Sequence, residues 1–161
     1  MQIITLGHDV LRQKAEKIDK IDAELVRSAQ QMLTLIHEGK GIGLAGPQVG
    51  LLKRFFVVHL DGDIPRIFIN PSIIETSNDT AKFEEGCLSL PGAWADVIRS
   101  KEITVQAWNE RGRPFTIDAD GIMARVILHE YDHLEGKLFI DYLSDTKRDR
   151  ILSKFEKRAK A

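Results

Sequence analysis

Two histidines and a glutamate stand at positions 129, 133 and 130, in the run Ile127-Leu128-His129-Glu130-Tyr131-Asp132-His133-Leu134-Glu135-Gly136. Residues four apart on an α-helix lie one above the other, so His129 and His133 can direct two imidazoles at one metal ion. Glu130 lies about 100° around the same helix. From there it reaches a water at the metal without having to be a ligand. Two neutral nitrogen donors and a carboxylate that moves protons are the parts of a hydrolytic metal site. Such a site needs a further donor from elsewhere in the chain.

A metzincin-type set would place a histidine six residues after His133, but that position is Phe139. A thermolysin-type set takes a later glutamate, and Glu156 has a comparable spacing. It reads more simply as a surface carboxylate of a charged helix. Cys87, the single cysteine, is the stronger candidate. A lone cysteine is most often a buried small hydrophobe. This one sits between Gly86 and Leu88-Ser89-Leu90-Pro91, a strand-to-turn passage that can aim a side chain from a rigid edge. A thiolate with two imidazoles is a tetrahedral donor set with one place open to water.

The elements that must position these groups are legible in outline. Asp22 is a candidate N-cap for a helix from about Ala23 to Glu38, with Leu25, Ala29, Met32, Leu33 and Ile36 on one face and Gly39 and Gly41 ending it. Next comes Gly41-Ile42-Gly43-Leu44-Ala45-Gly46, which fits a dinucleotide fingerprint in letters only. It follows a helix rather than a strand, and Pro47 and Gly50 occupy the place of the required helix. It reads instead as a glycine-rich loop that lets the backbone approach something closely. Lys53–Leu60 and Arg66–Glu75 read as strands, the second bent at Asn70-Pro71. Val97–Trp108 and Arg113–Ile117 read as a long hairpin around Asn109-Glu110-Arg111-Gly112. Asp118 or Asp120 can cap the ligand-bearing helix, Gly121 to about Leu134, which buries Ile122, Val126, Ile127 and Leu134. Lys137–Leu143 reads as extended, and a last helix runs from about Ser144 to Arg158 with Ile151, Leu152 and Phe155 on its apolar side. The expectation is one α+β domain over residues 1–161: antiparallel strands packed around a central metal-binding helix, with an N-terminal and a C-terminal helix.

Composition narrows the function classes. A net charge of −1 gives no global attraction to nucleic acid or membrane. No apolar run approaches a membrane span, and the first residues lack the pattern of a signal peptide. One cysteine excludes an internal disulfide framework, so a reducing, cytoplasmic location is expected.

Three segments, in order, resemble the signature motifs of peptide deformylases: Gly41-Ile42-Gly43-Leu44-Ala45-Gly46-Pro47-Gln48, Glu85-Gly86-Cys87-Leu88-Ser89 and His129-Glu130-Tyr131-Asp132-His133. Val10-Leu11-Arg12 and the order of elements are also similar, so the likeness covers nearly the whole chain. The resemblance implies a metal-dependent hydrolase that removes the N-formyl group from the N-terminal methionine of newly synthesised polypeptides, a step of protein biosynthesis, and releases formate. It implies Cys87, His129 and His133 as ligands of one divalent ion. Iron(II) is then the native metal, with zinc, nickel or cobalt able to substitute. It implies Glu130 as the proton carrier, and the Gln48 side chain with the Leu88 backbone N–H as donors to the oxyanion. Two positions depart from the family pattern. Gly46 replaces the usual second alanine, which is expected to loosen the loop carrying Gln48. Leu128 replaces a common glutamine, removing a hydrogen-bonding group near the ligands.

The methionine side chain of such a substrate needs an apolar pocket. Ile42, Gly43, Val126 and Ile122 are the candidates, plain core packing being the commoner fate of the apolar ones. Glu85 and Arg99 read either as a brace for the Cys87 segment or as two solvated charges. Asp132 reads as orienting a ligand histidine or as a helix-surface group. Arg125 reads as reaching toward the substrate or snorkelling to solvent, and Trp94 as a cover over the pocket mouth. The Lys/Arg excess of the last helix (Lys147, Arg148, Arg150, Lys154, Lys157, Arg158) reads either as a solvated face or as a contact with ribosomal RNA.

Overall fold

The computed structural model describes the backbone of residues 1–160 and the side chains of residues 1–155. Glu156, Lys157 and Arg158 therefore have side chains outside the described residues.

The first helix, α1 (Ala23–Gly39), starts where Asp22 accepts a hydrogen bond from the Leu25 N–H at 2.9 Å. It ends at Lys40 in a left-handed conformation, φ 57°, rather than at a glycine. The glycine-rich stretch then forms a short strand, β1 (Gly43–Ala45), and one turn of 3-10 helix over Gly46–Val49. Strands β2 (Phe55–Val58), β3 (Arg66–Thr76), β6 (Glu102–Trp108) and β7 (Pro114–Asp120) join β1 in an antiparallel sheet of order β1-β2-β3-β6-β7. The expected bend of β3 falls at Asn70, φ 49°, with a bulge between Ile69 and Ser72. Its amide holds both backbone groups of Ile18, at 2.8 and 2.9 Å.

Strands β4 (Thr80–Cys87) and β5 (Leu90–Ser100) form a separate two-stranded sheet. This corrects the sequence expectation of one strand across Val97–Trp108. The run breaks at Lys101, so Val97–Ser100 pairs with β4 while Glu102–Trp108 pairs with β3 and β7. Apolar residues recur on both sides of the polar run Arg99-Ser100-Lys101-Glu102, and periodicity alone cannot tell one strand from two in different sheets.

Helix α2 (Gly121–Leu134) packs against β1, β2, β7 and β5, between the two sheets. Strand β2 is buried on both faces. Phe56 and Val58 join Phe68, Val105, Val126 and Ile127 on the α2 side. Phe55 and Val57 join Leu25, Met32 and Ile36 of α1 on the other. Truncating one such phenylalanine to alanine costs about 3–5 kcal/mol. Phe139–Tyr142 is a turn of 3-10 helix, not extended chain. It packs with Leu90 and Val97 under the final helix, α3 (Asp145–Lys160), through Ile151, Leu152 and Phe155. The arrangement is α+β, with antiparallel strands around a central helix. Among the described residues no helix is long and apolar enough to cross a membrane.

Candidate metal centre and active site

Helix α2 brings His129, Glu130 and His133 to one buried spot, each less than a tenth exposed. Cys87 arrives from the end of β4, where the pairing with β5 shifts register between Gly86 and Cys87. Such a bulge re-aims a side chain at the end of a ladder. One donor atom from each of Cys87, His129 and His133 lies within 4.8 Å of the others. The Cys87 Sγ is 3.4 Å from His133 Nε2.

His129 is oriented from behind. Its Nδ1 donates to Glu85 Oε1 at 2.8 Å, which leaves Nε2 with the free lone pair. Phe139 stacks on the same ring, centroids 6.0 Å apart. Glu85 in turn receives Arg99 through two hydrogen bonds, 2.6 and 3.0 Å, and Arg125 at 2.6 Å. Burial works to raise the Glu85 pKa, but the hydrogen bonds from His129 and Arg99 outweigh it and hold the carboxyl at about 2. Glu85 and Arg99 are thus a buried pair and not two solvated charges. Arg99 also binds Asp132 at 2.9 Å, and Asp132 accepts the Tyr142 hydroxyl at 2.8 Å. Asp132 therefore supports the ligand set through Arg99; it bonds neither histidine. Arg125 does not snorkel to solvent. It is spent on Glu85 and on the carbonyls of Val97 and Ala81, at 3.0 and 2.8 Å.

Glu130 has a different environment. Burial drives its pKa up to about 7, and its Oε1 has no hydrogen-bond partner among the described residues. Gly43 of β1 lies directly against it: a Cβ there would fall 2.7 Å from Glu130 Oε2 and 2.7 Å from Val126 Cγ2. The glycine is what allows β1 this close to α2.

Gln48 is buried and fixed in orientation. Its Oε1 accepts the Ala45 N–H at 2.9 Å, which turns Nε2 toward Cys87 Sγ, 3.4 Å, and Ser89 Oγ, 3.1 Å. Ser89, fully buried, is a participant that residue type alone did not single out. Its signal was its place two residues after Cys87. Gly46 does not loosen this loop. A Cβ at 46 would meet the Leu51 and Lys53 carbonyl oxygens at 2.7 and 2.8 Å, so the turn is tighter than an alanine permits. Leu128 packs against the α2-side core.

The expected pocket residues divide. Val126 is 4% exposed, but Ile122 is 55% and Ile42 is 42% exposed, so the burial expected of Ile122 is corrected. Ile122 belongs to the first turn of α2. It lines a groove of about 350 Å³ with Phe83, Ala81 and Arg125. Trp94 lies flat over Gly86 with its outer surface in solvent. Leu88 sends its side chain against Gly39 and Gly41, closing the gap between α1 and the β4 end.

These residues fit a divalent metal. One sulfur and two imidazole nitrogens converge, one imidazole is held in the correct tautomer, and the unpartnered Glu130 oxygen sits beside them. The comparisons with known proteins agree. The family model for polypeptide deformylase matches residues 1–149. The chain is 43% identical to a peptide deformylase of Agrobacterium fabrum, over 99% of this chain and 96% of that one. It is 50% identical to one of Clostridium botulinum, over 84% and 90% of the two chains. Its structure matches the peptide deformylase of Ehrlichia chaffeensis solved in complex with actinonin, with a TM-score of 0.95, 34% identity, and coverage of 100% and 98%. The Synechococcus elongatus peptide deformylase, also solved with actinonin, gives 0.91 at 41% identity, over 96% and 87% of the two chains. Sequence, fold and site geometry agree: this chain belongs to the peptide deformylase family, metal-dependent hydrolases that remove the N-formyl group from newly made polypeptides.

Proposed function

We propose that Cys87, His129 and His133 hold one divalent ion, iron(II) as the native metal, and that Glu130, Gln48 and the Leu88 N–H carry out deformylation of formyl-methionyl chains around it. The observation that carries the reading is the convergence of the three donor atoms within 4.8 Å beside a buried carboxylate whose Oε1 has no partner among the described residues. Thiolate and imidazole donors suit iron(II) and zinc alike, so the donor set accommodates substitution by zinc, nickel or cobalt. When bound, such an ion supplies Lewis acidity and makes a nearby water far easier to deprotonate.

The side chains supply the rest. Glu130, poised near neutrality, takes the proton of the attacking water and passes it to the departing amine as formate leaves. Gln48 Nε2, aimed by its bond to Ala45, donates to the oxyanion that develops on the formyl oxygen. The Leu88 N–H joins it. Removing one donor of this kind costs about 10²–10³ in kcat. Ile42, Gly43, Val126 and Ile122 flank the methionine side chain, with Val126 as the buried floor and the two exposed isoleucines at the mouth. The whole chain, 1–161, acts as one catalytic unit in a reducing, cytoplasmic setting, where Cys87 stays reduced. The basic side of α3, from Lys147 onward, contacts ribosomal RNA electrostatically.

The decisive experiment measures formate release from formyl-Met peptides alongside metal content after anaerobic purification. One metal equivalent per chain and formate release are expected, with both lost in Cys87→Ser. A Cys87→Ser protein that keeps its metal would remove Cys87 from the ligand set. Salt-sensitive ribosome binding that survives deletion of 147–161 would remove α3 from that role.

A further inference from the structure

Across the Lys40–Gly43 loop from the metal centre, two other histidines meet. His37 is in the last turn of α1, and His59 directly follows β2. His37 Nε2 and His59 Nδ1 are 2.6 Å apart, the ring centroids 4.9 Å apart and the planes at 62°. His37 is exposed and His59 half-buried.

The hydrogen positions follow from the neighbours. His59 Nε2 is 2.9 Å from the Asp63 carbonyl oxygen, which can only accept, so that nitrogen carries the proton. A neutral His59 then presents Nδ1 as a bare lone pair, and His37 donates to it from Nε2. The contact is one proton held between two imidazole nitrogens. Imidazole is the commonest protein ligand for transition metals.

We propose that His37 and His59 form a second, surface site for a divalent transition-metal ion of the zinc, nickel or copper class. The ion takes the place of the shared proton. His37 shifts its hydrogen to Nδ1, both facing nitrogens become ligands, no proton is released, and water completes the shell. His59 is the fixed half: its ring is tied to Asp63, and its backbone N–H donates to the Ile42 carbonyl at 2.9 Å. His37 is the adjustable half, on an exposed helix end. Two nitrogens at 2.0–2.1 Å from a tetrahedral ion lie about 3.3 Å apart, so the pair opens by less than about 1 Å, which rotation of the His37 side chain supplies. The Asp63 carboxylate is engaged by Arg66, at 3.1 and 3.2 Å, and by the Ile64 N–H. The site is therefore a two-histidine site, weaker than the cysteine-containing one. Nickel and copper bind it more tightly than earlier divalent metals of the first row.

The test uses untagged, ¹⁵N-labelled enzyme already loaded with one equivalent of Ni²⁺. Equilibrium dialysis against further Ni²⁺ should give a second equivalent, and its binding should broaden the amide resonances of residues 37–43 and 59–63. H37Q and H59Q should each keep the first equivalent and formate release while losing the second equivalent and the broadening. Absence of a second equivalent in the unmodified protein overturns the proposal. So does a second equivalent of unchanged affinity in the H37Q/H59Q double variant.

Discussion

The two sides of the metal centre hold the same residue type in opposite states. On one side Glu85 is surrounded by Arg99, Arg125 and the His129 ring, and burial fails to protonate it. On the other Glu130, one residue along α2 from His129, faces Gly43 and Val126 and keeps its proton up to about 7. Both carboxylates are buried, so burial alone does not decide their states. The difference is the number of donors within reach: Glu85 is saturated, while Glu130 Oε1 has none among the described residues. A saturated carboxylate can hold a ligand in place. One with an unpartnered oxygen can accept a proton. The same helix thus carries the proposed ligand His129, pinned by an ionic wall, and the proposed base Glu130, set against an apolar one.

Substitution of either carboxylate tests its part. Glu130→Gln keeps the shape and removes the proposed base; kcat should fall by about 10²–10⁴, while metal content stays at one equivalent. Near-normal turnover in steady-state assays would place the proton carrier elsewhere. Glu85→Gln leaves Arg99 and Arg125 short of a counter-charge. A buried pair broken in this way loses about 3–5 kcal/mol, measurable by urea unfolding, and removal of such support typically weakens metal binding about 10- to 100-fold. A variant with unchanged stability and metal affinity would reduce the ionic wall to decoration.

The pH dependence of stability sharpens the contrast because the two signs are opposite. Glu85 stays ionised in the folded chain down to about 2, against a reference of 4.5, so its contribution is complete above 4.5 and is lost as pH falls toward 2. Glu130 holds its proton up to about 7, so its contribution is complete below 4.5 and is lost as pH rises through about 7. Each displacement corresponds to roughly 3 kcal/mol. Unfolding curves of the metal-free protein across this range should show the acid-side loss disappear in Glu85→Gln and the loss toward neutral pH disappear in Glu130→Gln. Gly43→Ala is the smallest intervention. Its methyl group displaces the Glu130 carboxylate and Val126, and a misplacement near 1 Å costs about 10² in rate. Titrating kcat/KM against pH would show whether the base has also moved in affinity for its proton.

Much of this centre was readable from residue types. The four-residue spacing of His129 and His133 forces a shared helical face, and the span of α2 follows from that pattern. Cys87 was legible as a candidate because it is the single cysteine, placed at a strand end. The wall behind His129 was less so. Arg125 sits on a helix turn where long cations usually run to solvent, and only the pairing of β4 with β5 puts Glu85, Val97 and Ala81 around its guanidinium. The break at Lys101 escaped the sequence for a related reason: alternation reports that a strand exists, not which sheet it joins. Ile122 fits the apolar stripe of α2, but its side chain faces an open groove beside Ala81 and Phe83 instead of a packed layer.

The tight turn at Gly46 also bears on how this protein tolerates change. Replacing a residue by the commoner choice among relatives is a usual route to added stability. Here the alanine that the family resemblance implies for this position would drive a methyl group into the Leu51 and Lys53 carbonyl oxygens. The benefit of that substitution depends on a neighbouring segment that has closed the space, so the two stretches are epistatic. A consensus-guided redesign of this chain has to move residues 51–53 before it can alter residue 46. Otherwise it displaces Gln48, two positions on.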